Sequence, residues 1–110
     1  MTRTTAIAIL LAAALLEAGG DALVRVALRN SVVWQRGLFF ALGAIVLFAY
    51  GWTVNRPPWE FGRLLGVYVV FFFVIAQLIS WLVFKQTPSP HVLLGGALII
   101  AGGAVIALGT

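Results

Sequence analysis

The chain has no cysteine, a single histidine and only three carboxylates in 110 residues. Without thiols there is no disulfide framework and no thiolate metal site, and one imidazole with three carboxylates leaves little for a metal of any kind. Charge of either sign is scarce as well. Charged residues make up 9% of the chain, whereas a soluble domain carries about 25% to cover its surface. No Ser/His/Asp or Cys/His set is present, no glycine-rich phosphate loop follows a strand, and His91 stands alone in a proline-rich loop. Nothing here points to an enzyme, a metal or a cofactor. What is abundant is apolar side chain, 63% of the residues, so the few charges face a bilayer rather than water. The net charge of +4 comes from seven Lys and Arg scattered singly between apolar blocks. They form no basic stripe for nucleic acid and are read as anchors at the membrane interface.

Four apolar segments follow one another, at 4–28, 37–54, 64–84 and 92–109. A helix rising 1.5 Å per residue needs roughly 20 residues to cross about 30 Å of hydrocarbon. Backbone groups in lipid must be satisfied within the segment, and the alternating pattern of a membrane barrel is absent, which leaves helices. The connections "RNSVVWQR" (29–36), "NRPPWEFGR" (55–63) and "KQTPSPH" (85–91) hold all four prolines, with Trp34 and Trp59 at the depth of an aromatic belt. The expected fold is an all-α membrane protein, one four-helix transmembrane domain over 1–110.

The first segment contains "LLEAGGDALVR" (15–25), and with it Glu17, Asp21 and Arg25. Arg3, the apolar run 6–16 and the small residues 18–20 have the outline of a secretory signal peptide. Against that, the apolar pattern resumes through Ala22, Leu23, Val24, Val26 and Leu28, and Glu17 is a poor neighbour for a cleavage site, so a retained spanning helix is expected. Its midpoint is residue 16. Glu17 then lies near the bilayer centre, Asp21 about 6 Å beyond it and Arg25 about 12 Å beyond. Arg25 can snorkel to the interface and, four residues from Asp21, pair with it. Glu17 has no such partner in its own helix. A carboxyl at mid-membrane is costly, by roughly 2.5 kcal/mol or more, and its default reading is functional. Out of water it favours the neutral form until a cation arrives to pair with it, so proton and cation compete for one group. That competition is the minimum needed for exchange.

In the fourth segment, "LLGGALIIAGGAVIALG", glycines recur seven residues apart at 95, 102 and 109 and again at 96 and 103. Small residues let membrane helices approach closely. Gly95, Gly96, Gly102 and Gly103 are therefore expected to form a dimer interface, with packing inside one bundle as the alternative.

Four short spans, Glu17 followed by Gly20, "SWLVFKQ" (80–86) closing the third span and the seven-spaced glycines together resemble the small multidrug resistance transporters of the drug/metabolite transporter superfamily. "GRLLGVY" (62–68) and the small size are also similar to a sister group of four-helix proteins in that superfamily. The resemblance covers nearly the whole chain. It implies an antiparallel homodimer of dual topology in a bacterial or archaeal inner membrane, with two copies of Glu17 sharing one site that exchanges protons for cationic compounds. The chain departs from the family's pattern at Leu65, where a tyrosine is usual, and at "VVFFFV" (69–74), which replaces a glycine pair. Asp21 and Arg25 are additions, and the second span offers no hydroxyl beside Glu17, because Tyr50, Trp52 and Thr53 cluster toward one end.

Two readings result. In the first, a proton-coupled antiporter binds cation and proton at Glu17, Asp21, Gly20 and Tyr68, with Tyr68 as a cation–π or hydrogen-bonding wall. Its partners are a second copy of the chain, a small cationic substrate, protons and the lipid bilayer, and not nucleic acid. In the second, a membrane scaffold or subunit that transports nothing holds Glu17, Asp21 and Arg25 as a fixed polar lock.

Overall fold

The computed structural model describes residues 1–109; Thr110, the last residue of the domain expected over 1–110, lies outside the described residues. Four helices follow in chain order, α1 (Arg3–Arg29), α2 (Val33–Val54), α3 (Phe61–Leu82) and α4 (Pro90–Leu108). Each is long and apolar enough to cross a membrane. The expected class, four spanning helices, is the one observed.

The boundaries follow from local chemistry. Thr2 caps α1 by accepting from the Thr5 amide at 3.1 Å, and Ser89 caps α4 by accepting from the Val92 amide at 3.2 Å, with Pro90 at the first helical position. Pro57 and Pro58 fall between α2 and α3, where no helix can run through them. The first connection is shorter than the expected 29–36 loop. Asn30 closes it in three residues: its side-chain oxygen accepts from the Val32 amide at 2.9 Å, and its amide nitrogen donates to Gln35 at 3.1 Å. Trp34, expected in that loop, consequently lies in the first turn of α2. At the other end, α3 stops at Leu82 rather than 84. The Gln86 amide donates to the Ser80 carbonyl at 3.0 Å across a turn in which Lys85 takes a φ of 59°, a left-handed conformation more usual for glycine.

The helices pack in the order α2, α1, α3, α4; α1 and α4 do not approach each other among the described residues. The molecule is a slab of 49 × 34 × 19 Å, its thin dimension only about two helix diameters. Small residues make the close contacts. Helix α1 buries Ala6, Leu10, Ala13, Ala14, Ala18, Gly20 and Ala27, more than any other helix. Where α1 crosses α2, a Cβ on Gly43 would stand 3.3 Å from the Gly20 carbonyl oxygen, and a Cβ on Gly20 would stand 2.7 Å from Leu47. Most of the large apolar side chains point outward, Phe48 at 78% exposure and Val105 at 70% among them. In hydrocarbon that outward face carries no penalty.

The two glycine faces of α4 separate in space. Gly96 is packed against Phe73, and Gly103 against Val70, so close that a Cβ at either would overlap its neighbour on α3. Gly95 and Gly102 have nothing within 4 Å of where a Cβ would stand. The expectation of four glycines at a dimer interface is corrected for Gly96 and Gly103, which serve packing inside one chain. A helix has one side facing its neighbour, and residues one apart are about 100° apart around it.

Candidate intramembrane site

Glu17 lies one residue beyond the midpoint of α1, at the depth where a carboxyl is most costly. Its partner comes from α3. The Tyr68 hydroxyl donates to the Glu17 Oε1 at 2.8 Å. Tyr68 is only 3% exposed, held in the central cluster with Leu10, Ala13, Ala14, Val54 and Leu64. A buried phenol needs a partner for its hydroxyl, and across 51 residues of sequence the fold brings it this one.

Two further rings complete the surroundings. Tyr50 of α2 lies 5.7 Å from the Tyr68 ring at 33°, and Phe72 of α3 lies 6.3 Å from it at 30°. These separations are within the range of favourable aromatic pairs. The second span is expected to offer no hydroxyl beside Glu17, and among the described residues the Tyr50 hydroxyl makes no hydrogen bond to it; what that expectation leaves out is that the Tyr50 ring packs against Tyr68. The signal was available: the chain has two tyrosines, at 50 and 68, flanking the 55–60 connection on the same side of the membrane.

One turn beyond Glu17, α1 and α3 diverge and leave a cavity of about 230 Å³. Asp21 and Arg25 line it from α1, Phe72 and Ser80 from α3, and Phe84 and Gln86 from the turn after α3. Phe72 thus lies both beside Tyr68 and on the cavity wall. Asp21 is exposed.

The expected Asp21–Arg25 pair is not formed: among the described residues no ion pair joins them, and the Arg25 guanidinium sits over the Phe84 ring, 5.3 Å from its centroid. The i,i+4 spacing permits an ion pair but does not compel it, and a ring at the helix end offers the cation an alternative. The polar lock of the second reading loses its Arg25 member in the same way. Gly20 faces Leu47 in the α1–α2 crossing. Of the expected set Glu17 and Tyr68 are therefore bonded, Asp21 borders the cavity one turn away, and Gly20 lets α1 approach α2. Leu65 packs partly buried against the central cluster, and α3 runs as one continuous helix through 69–74.

Chemically, a carboxyl bonded to one phenol can hold a proton or, ionised, keep the phenol's hydrogen bond and accept a cation. The rings of Tyr50 and Phe72 gathered at Tyr68 suit an organic cation better than a hydrated metal ion. Among the described residues no three His, Cys, Asp or Glu side chains gather as metal ligands.

Comparison with known proteins adds a family. The family described as "Uncharacterised BCR, YnfA/UPF0060 family" matches residues 2–110. The UPF0060 membrane protein YfjF of Bacillus subtilis is 36% identical over 102 residues, 91% of this chain and 90% of that protein. A UPF0060 membrane protein of Herpetosiphon aurantiacus is 35% identical over 83 residues, covering 68% of this chain and 76% of the relative. One from Staphylococcus carnosus is 34% identical over 103 residues, 93% of each. No solved structure matches the chain.

Proposed function

The chain belongs to the YnfA/UPF0060 family of bacterial integral membrane proteins, and from that premise we propose that it is a proton-coupled antiporter exporting small cationic or hydrophobic-cationic compounds. The observation that carries this reading is the Glu17 carboxyl at mid-span, bonded to the Tyr68 hydroxyl at 2.8 Å and one helical turn from a cavity between α1 and α3. Proton and cation displace one another at Glu17. Tyr68 keeps the ionised carboxylate hydrogen-bonded between the two occupants, Tyr50 and Phe72 offer ring faces to the organic part of the substrate, and Asp21 draws cations into the cavity. No bond is made or broken in the substrate, so the protein is a carrier and not an enzyme, and no cofactor takes part.

The working unit of this proposal is an antiparallel homodimer. A slab 19 Å thick does not enclose a path across the membrane, and an exposed Asp21 inside the hydrocarbon needs either a second protein surface or water beside it. Gly95 and Gly102, open on the outer face of α4, would meet their counterparts there in an isologous contact. The scaffold reading has less support, because among the described residues no Asp21–Arg25 ion pair completes its lock and Arg25 lies over Phe84 instead.

Transport in proteoliposomes tests the proposal. With a proton gradient imposed across the bilayer, a lipophilic aromatic cation such as tetraphenylphosphonium should move against the proton flow, and Glu17→Gln should abolish that movement. Equal cation movement by native protein and Glu17→Gln would overturn the assignment.

A further inference from the structure

On the membrane face where α1 and α3 begin, a second cavity of about 260 Å³ lies over α3, between α1 and α4. It exists because α1 and α4 flank α3 without meeting. Ile7, Phe71 and Leu108 form an apolar wall, and Arg3, Trp59 and Arg63 stand at its end near the interface. The Arg63 guanidinium lies 5.2 Å from the Trp59 ring centroid, and its Nε is buried with no hydrogen-bond partner. A buried N–H without an acceptor is costly. We propose that this groove binds an anionic phospholipid, its phosphate between Arg3 and Arg63 and an acyl chain along Ile7 and Phe71.

Three observations converge on this occupant. The first is the orphan Nε, the buried donor of a side chain that lines the groove; a phosphate oxygen reaching it would satisfy it. The second is charge. Glu60 is the one acidic side chain of this face; it is exposed at the start of α3, and among the described residues it forms no ion pair with Arg3 or Arg63, so neither guanidinium has a carboxylate partner there. Both also sit in the first turn of a helix, where the helix dipole disfavours a cation. An anion at that point offsets the repulsion. The third is the order of polarity: the groove is basic at Arg3 and Arg63 and apolar along Ile7 and Phe71, which matches a phospholipid's headgroup and chain. The bilayer supplies lipid at this depth, and basic pockets between spanning helices are where anionic headgroups lodge.

The test is native mass spectrometry of the full chain released from detergent containing equimolar palmitoyl-oleoyl phosphatidylglycerol and palmitoyl-oleoyl phosphatidylcholine. Native protein should retain the anionic lipid at least ten-fold over the zwitterionic one. Arg3→Gln and Arg63→Gln should each lower the ratio about five-fold, the worth of one guanidinium near an anionic headgroup, while Arg29→Gln, on the opposite face, should leave it unchanged. Arg63→Lys keeps the charge and removes the buried Nε; it should fold even if Arg63→Gln does not, and should still lower the ratio. A native ratio near one, an equal loss in Arg29→Gln, or displacement of the lipid by millimolar inorganic phosphate would overturn the proposal. So would ready disulfide dimers of Ile7→Cys, in a chain with no other cysteine, because a second copy would then occupy the groove.

Discussion

Replacing Gly43 with alanine tests how the α1–α2 crossing is built. The added methyl would stand 2.8 Å from Val24 Cγ2, 3.4 Å from Leu23 Cβ and 3.3 Å from the Gly20 carbonyl oxygen. The Val24 methyl can rotate aside, but the carbonyl belongs to the α1 backbone, so relief requires the two helices to part. Overpacking of this kind costs about 1 to 3 kcal/mol, and the rigid oxygen puts Gly43 in the upper half of that range. Alanine also returns about 1 kcal/mol of helix propensity lost at glycine. The net loss should be about 1 to 2 kcal/mol. Gly37→Ala and Gly51→Ala, in the same helix with nothing within 4 Å of the new Cβ, receive only the propensity gain and should be unchanged or more stable by up to about 1 kcal/mol. Reversible unfolding in mixed micelles, followed by helicity as dodecyl sulfate is added, would measure all three. If Gly43→Ala proved as stable as Gly51→Ala, the close crossing that places α1, and Glu17 with it, would be wrong.

The two glycine faces of α4 predict opposite outcomes. Gly103→Leu, which overlaps Val70, should lower the stability of the single chain, whereas Gly102→Leu should leave it intact and weaken self-association, read by crosslinking in native membranes. Arg25→Gln and Phe84→Leu each remove one cation–π contact of about 0.5 to 2 kcal/mol, so their combination should cost no more than either alone. Arg25→Gln with Asp21→Asn should instead add, because the two share no contact; a coupling above about 0.5 kcal/mol would restore the ion pair. Basic residues divide as Arg3, Arg56 and Arg63 on one face against Arg29, Arg36 and Lys85 on the other, with Arg25 snorkelling toward the second. That near-balance gives the positive-inside rule little to act on. Reporters fused after residue 110 that are active on one side only should therefore report comparable signal from both sides, and signal from one side alone would contradict the antiparallel pair.

Helix number and approximate position were legible because hydrophobic length is the constraint the bilayer imposes, and each span satisfies it within its own sequence. Glu17 was legible for the same reason, as an ionisable group where depth makes one expensive. The ends of spans were less so. Asn30 closes the first connection through bonds to Val32 and Gln35, a local chemistry that hydropathy does not register. Contacts between helices were the hardest to read. The spacing of Asp21 and Arg25 suggested a pair, but Phe84, 59 residues further along the chain, takes the cation. Seven-residue glycine spacing identified two faces of α4 without saying which one meets α3, since that depends on Phe73 and Val70 standing opposite. Tyr50 was missed because depth was judged along its own helix alone, whereas a long side chain on α2 reaches a ring on α3 set at a similar level.

The most direct test of Glu17 as the shared site of proton and cation is proton release in weakly buffered detergent solution on addition of tetraphenylphosphonium. Native protein should release protons as the cation binds, saturating with cation concentration and diminishing once the solution is alkaline enough to ionise Glu17 beforehand. Glu17→Gln should release none. Cation binding without proton release from the native protein, or undiminished release from Glu17→Gln, would contradict the account.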